Sequence, residues 1–206
     1  MLSASIDHNG VLERMQRESD RTAVILGGAV LDELLKQLLA ARFVSLQAKL
    51  LAEGGALWSF AARIRITRAL DWINNDVYAD LERIRKLRNL CAHSVDAAVS
   101  LSDTEPARIC SGIAIVARYQ QGLETAKIRQ QARTGADVFD TVSARYSQPD
   151  QRFRFAVDLY AQHLMELQAQ AAPYASIDVF AQARALGESL SFGARGTANV
   201  VDPGAP

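Results

Sequence analysis

The chain has 206 residues, about half of them apolar, and 23 acidic residues balance 23 basic ones. That length suits one domain with extensions or two small ones, and the apolar share is ample for a continuous core. Zero formal net charge removes any whole-molecule electrostatic drive toward nucleic acid or anionic membrane, and it is unlike the basic excess of a dedicated DNA-binding domain.

The opening residues Met1 to Asp7 have neither the basic n-region nor the apolar h-region of a signal peptide. No run reaches the roughly 20 apolar residues of a membrane span. The expectation is a cytoplasmic protein with no membrane contact. Cys91 and Cys110 lie in apolar, helix-like stretches without CxxC spacing, so they read as reduced core thiols. His8, His93 and His163 are scattered and supply no close ligand set with them, so neither a metal site nor a cofactor is expected.

The first periodic segment starts at Ser19-Asp20, both good N-cap residues. Val24, Leu31, Leu34, Leu35, Leu38 and Leu39 then recur at three- and four-residue steps, which predicts a helix buried on most sides and running to about Leu51. Gly27-Gly28 inside it costs about 1 kcal/mol per glycine relative to alanine, a cost that close approach of another backbone would offset. Glu53-Gly54-Gly55 is a stop and turn signal. Ser59 opens a second helix with Ile64, Ile66, Ala69, Leu70 and Ile73 on its apolar face, closed by Asn74-Asn75-Asp76. Asp76 is expected to cap a third, with Val77, Leu81, Ile84, Leu87 and Cys91 on one stripe. Thr104 and Pro106 open a fourth, continued by Ile109, Ile113, Ile115 and Val116.

Gly122 and Gly135 punctuate a more polar region of doubtful regularity. Pro149-Asp150 opens a further helix carrying Phe153, Val157, Tyr160, Leu164 and Leu167, which Pro173 stops, and a short amphipathic piece runs from Ile177 to Leu186. From Gly187 to Pro206 small and polar residues predict a flexible, disordered tail. The fold expected is all-α: a compact multi-helix bundle over residues 1–125, a helical extension over 126–186 on or beside it, and the tail over 187–206.

One segment carries chemistry. In Arg88-Asn89-Leu90-Cys91-Ala92-His93, helical spacing puts Asn89 and His93 on one face, Arg85, Arg88 and Ala92 on a neighbouring stripe, and Leu87 with Cys91 toward the core. A guanidinium, a carboxamide and an imidazole on one polar ridge can bind an anion, and the imidazole can also move a proton. The structural alternative is a helix C-terminus that attracts cations to its dipole and unpaired carbonyls. Arg63, Arg65, Arg83, Arg85, Lys86 and Arg88 make the central hairpin locally positive, either as a phosphate-binding patch or as a solvated face balanced by Asp71, Asp76, Asp80 and Glu82. Asp20, Arg21, Asp32 and Glu33 could complete a polar network with Arg85 or Arg88, with N-capping as the alternative for Asp20. Trp58 and Phe60 read as core anchors, and Phe153, Phe155 and Tyr160 as packing or a dimer face.

Arg88-Asn89-x-x-x-His93 resembles the signature of the HEPN superfamily, small helical bundles that are often dimeric. That resemblance implies a metal-independent ribonuclease whose arginine and histidine face their counterparts across a homodimer. A longer stretch, about residues 11–118, resembles the mannitol operon repressor family. The match lies in Glu18-Ser19-Asp20-Arg21, in Ala29 to Leu35, in Gly54-Gly55-Ala56-Leu57-Trp58-Ser59-Phe60-Ala61-Ala62-Arg63-Ile64-Arg65, and in Leu81 to Ser94. It implies a helical transcriptional regulator without a helix-turn-helix. The leading expectation is therefore a non-enzymatic regulator acting through a protein partner, with weak or indirect nucleic-acid binding. The alternative is a ribonuclease or toxin using Arg88, Asn89 and His93.

Overall fold

The computed structural model describes residues 7–43, 47–94, 99–134, 146–169 and 179–193. Among these residues every regular element is an α-helix, as the sequence predicts: α1 (His8–Met15), α2 (Asp20–Arg42), α3 (Gln47–Leu51), α4 (Phe60–Ala69), α5 (Asn75–His93), α6 (Thr104–Ser111), α7 (Ala114–Thr134), α8 (Pro149–Ala169) and α9 (Val179–Gly193). None of these helices is long and apolar enough to cross a membrane.

The apolar repeat of α2 makes it the central element. Leu31, Leu34, Leu35, Leu38 and Leu39 are all essentially inaccessible, each stabilising the fold by about 1.5–3 kcal/mol through burial. The helix starts where Ser19 Oγ accepts the Thr22 N–H and ends at Arg42, short of the expected Leu51. A separate turn of helix, α3, follows before the chain reverses at Gly54, whose φ of +75° suits glycine. The glycine pair of α2 is filled by side chains and not by a second backbone. A Cβ at Gly27 would stand 3.0 Å from Val157 of α8 and 3.1 Å from the Met15 sulfur, and one at Gly28 would stand 2.8 Å from Cδ of Arg88.

Helix α8 lies along α2, with Phe153, Val157, Tyr160, Leu164 and Leu167 all buried. The residues beyond 125 thus supply part of the main core, and position 125 itself falls inside α7. Phe153 and Tyr160 belong to that core, whereas half-buried Phe155 stacks on Tyr146 at 4.1 Å and meets Tyr119 edge-on at 4.8 Å.

Helix ends in the central part of the chain also differ from the sequence reading. Helix α4 closes earlier than Asn74: Trp72 N donates to Thr67 O and Asp71 N to Arg68 O, a Schellman arrangement with Asp71 at φ 53° where glycine is usual. Asn74, and not Asp76, caps α5, accepting the Val77 N–H at 2.9 Å. The fourth predicted helix is two, because the chain breaks at Gly112-Ile113 and α7 starts anew over the buried Asp80 carboxylate.

Gly122 does not interrupt anything; it lies buried in mid-α7. A methyl there would run into the Arg184 carbonyl of α9, and one at Gly187 would come within 2.7 Å of the Tyr119 carbonyl of α7. The two glycines let the backbones of α7 and α9 touch, and α9 continues to Gly193, past Gly187 where the sequence predicts the tail to begin. The remainder of that expected tail, residues 194–206, lies outside the described residues, as does Pro173.

Candidate functional site

Burial of Val77, Leu81, Ile84, Leu87 and Cys91 fixes how α5 is rolled. Asn89 and His93 are consequently exposed, one turn apart on the same face. Arg88 departs from that ridge. Its aliphatic stem crosses Gly28 of α2, and its guanidinium lies 4.0 Å from Asp32, one turn further along α2. The opposite oxygen of Asp32 accepts from the buried Arg63 guanidinium of α4, whose Nε also donates to the Leu57 carbonyl at 3.0 Å. One carboxylate thus joins three helices through two arginines. Burial pushes the Asp32 pKa up, while Arg63 and, to a lesser extent, Arg88 pull it back.

The other predicted cations are answered locally. Arg83 reaches Asp80 at 2.9 Å, Arg85 reaches Glu82 at 2.7 Å, and Lys86 reaches Glu105 at 2.9 Å. Arg108 shares Glu105 with Lys86, and hydrogen bonds from the two bring that carboxyl down to about 2. Of the six cations read as a patch, only the exposed Arg65 has no carboxylate within 4.0 Å among the described residues. The central hairpin is rich in arginine and has little uncompensated positive charge.

The four residues read as one polar network separate into different jobs. Asp20 accepts from Leu101 N at 2.9 Å, Ser100 Oγ at 3.2 Å and Arg154 at 3.2 Å, so it joins the start of α2 to the 99–101 loop and to α8. Capping falls to Ser19. Arg21 donates to the Ser94 carbonyl at 3.0 Å and so closes the C-terminus of α5 just beyond His93. Glu33 stays on its own helix with Lys36 and Gln37. Only Asp32 meets Arg88.

The sequence reading places Asp80 on a solvated face and does not single out Arg154, yet both are buried. Asp80 is fully buried and accepts from Ala114 N at 2.8 Å, Ile115 N at 3.0 Å, the Tyr160 hydroxyl at 2.7 Å and Arg83. Burial raises its pKa against the pull of these donors, and raises that of Tyr160 well above the usual tyrosine range. Its signal was positional: Asp80 lies three residues after Val77 and four before Ile84, inside the buried stripe. Arg154, equally buried, donates to the Met15 and Glu18 carbonyls and so ties α8 to the turn between α1 and α2.

The thiols of Cys91 and Cys110 are free and buried, and burial pushes Cys110 up to about 12. His163 is also buried, its pKa lowered by burial. Among the described residues no three His, Cys, Asp or Glu side chains gather as a metal site would need. Phe60 is a core anchor as expected, but Trp58 is half exposed. Compared with models of known protein families, with curated proteins and with solved structures, the chain matches none.

Proposed function

We propose that this protein is a non-enzymatic transcriptional regulator of the kind its resemblance to the mannitol operon repressor family implies, working through a protein partner. The observation that supports this reading is the pairing of Arg63, Arg83, Arg85, Lys86 and Arg88 with Asp32, Asp80, Glu82 and Glu105. Affinity for a duplex comes largely from cations that neutralise phosphates and release counterions. Cations already facing carboxylates contribute little to that term, so DNA contact through this hairpin is weak or indirect. A mobility-shift series with purified protein from about 50 to 200 mM salt tests the reading. No retardation at any salt is the expected result, and a salt-dependent shift that disappears with Arg83→Gln and Arg85→Gln overturns it.

A second reading rests on one separate observation, the exposure of Asn89 and His93 one turn apart, with the side chain of Arg88, next to Asn89 in the chain, still one-third exposed although it leans toward Asp32. In a HEPN-type ribonuclease, His93 would take the proton of an RNA 2′-hydroxyl and Arg88 would stabilise the charge developing at phosphorus, opposite a second subunit. Incubation with RNA in the presence of a metal chelator, beside a His93→Ala control, decides it. Cleavage by the parent protein alone supports this second reading, and equal outcomes for both proteins remove it.

A further inference from the structure

Six buried side-chain nitrogen or oxygen atoms among the described residues have no hydrogen-bond partner, and three of them belong to one seam, between α8 and α9. They are Nδ1 and Nε2 of His163 on α8 and Oε1 of Gln182 on α9. The His163 ring is 4% accessible, and the Gln182 carboxamide stands close enough to bear on its protonation. A neutral imidazole carries one N–H and one lone pair, whereas an imidazolium carries two N–H groups that both need acceptors. Glu166 is the one charged group acting on the ring among the described residues; its Oε2 lies 3.5 Å from Nδ1, and its side chain is more than half exposed. Helix α9 offers the ring only the neutral Gln182, since its Glu188 is turned to Arg129 of α7. The other helices packed along α8, namely α2, α6 and α7, bring no charged side chain that acts on the ring among the described residues.

We propose that His163 is a pH-dependent latch: α9 rests on α8 while the buried ring is neutral, and comes loose when acidification charges it. Helix α9 is the element most easily freed, because it lies along α7 and touches α8 only briefly. Its fifteen residues are too few to hold a stable helix without packing. Burial is the largest influence on the ring and outweighs the pull of Glu166 and Gln182, so the pKa of His163 lies below the usual 6.5. A base with a depressed pKa in the closed state favours closure fully above about 6.5, and that preference is lost as pH falls below it. Once freed, the ring meets water and is charged in about thirty molecules for each neutral one at pH 5, which bounds how far the seam can weaken. Asp158 titrates in the same range with the opposite sign, but it accepts from Gln16 beside α1 and does not act on His163.

Ring titration and amide exchange, both by NMR on the full chain, test the latch, with exchange normalised to its intrinsic rate at pH 7.5 and at pH 5. With three histidines in the chain, the His163 ring signal is assigned by its loss in His163→Gln. The expected result is a His163 ring that titrates below 6.5, together with a loss of protection at Ala183 and Gly187 of severalfold to about thirtyfold at pH 5. Leu31 and Leu35 should keep their protection. His163→Gln, uncharged at both pH values, should flatten the pH dependence of α9. Glu166→Gln, at an exposed position, should move the ring titration further down, because the favourable charge is gone. A ring that titrates at or above 6.5, α9 protection that does not change with pH, a loss shared equally by Leu31 and Leu35, or an undiminished loss in His163→Gln overturns the proposal. Should His163→Gln fail to fold, the parent titration and Glu166→Gln decide it, and a ring titration unmoved by Glu166→Gln overturns it.

Discussion

Replacing Asp80 by alanine removes the acceptor for four donors at once, and the cost follows from how each is placed. The Ile115 N–H and the Tyr160 hydroxyl are buried and have no other acceptor among the described residues, so each is left orphaned at about 1–3 kcal/mol. The Ala114 N–H and Arg83 lie nearer solvent and rehydrate at smaller cost. Removing a buried carboxylate also recovers its own desolvation, which offsets part of the loss. The net expectation is a destabilisation of about 3–4 kcal/mol, a large part of the 5–15 kcal/mol typical of a domain. Tyr160→Phe alone should cost about 1 kcal/mol, since Asp80 keeps its other donors. The double variant should be less destabilised than the sum by about 1–2 kcal/mol, because the hydroxyl orphaned in the single variant is gone. Urea unfolding followed at 222 nm measures all three variants against the parent. A loss below about 1 kcal/mol for Asp80→Ala, or strict additivity in the cycle, would refute the view of Asp80 as the hub joining α5, α7 and α8.

Burial raises Asp158 to about 6, and its carboxylate accepts from Gln16 at 3.0 Å. A raised folded-state pKa means that stability falls as pH rises from about 4 to 6, so Asp158→Asn should gain about 1 kcal/mol at pH 7.5, after discounting for partial exposure, and almost nothing at pH 4; equal gains in melting temperature at both pH values would contradict this. Gly122→Ala should displace α9 from α7, seen as faster amide exchange at Ala183 and Gly187 with unchanged protection at Leu31 and Leu35. Uniform loss across the molecule would show instead that α9 is not a separate unit. Neither Cys91 nor Cys110 should react with a thiol-specific reagent at pH 8 until urea unfolds the chain, and rapid labelling of the native protein would contradict their burial.

Much of this fold is legible in the sequence because apolar spacing is a direct record of burial. The stripes of α2, α5 and α8 were readable for that reason, and so were the serine caps at Ser19 and Ser59 and the shared face of Asn89 and His93. What misled was the reading of single residues by their average behaviour. Gly122 and Gly187 look like breaks because glycine lowers helix propensity, yet a backbone contact between α7 and α9 offsets that. Asp80 looks like a surface acid because aspartate seldom lies fully buried, and nothing local tells that a helix N-terminus 34 residues away needs an acceptor. The sequence position of Arg88 predicts one polar ridge with Asn89 and His93, but the gap at Gly28 draws it sideways toward Asp32. Residue type predicts a core position for Trp58, whereas the turn before Ser59 leaves it half exposed.

The arrangement at Asp32 makes Arg88 a detachable arm. Breaking an ion pair in a protein is expensive chiefly when it strands a buried charge. Asp32 has two arginines, and the buried one, Arg63, is the closer. If Arg88 swings outward to meet an arriving anion, Arg63 continues to neutralise the carboxylate and no charge is abandoned. The long, partly exposed contact that it gives up is worth at most about 1 kcal/mol. The joint between α2, α4 and α5 therefore stays closed when the guanidinium turns outward, provided that the aliphatic stem remains packed on Gly28, and substitutions at Arg88 that keep that stem can retune what the α5 ridge meets.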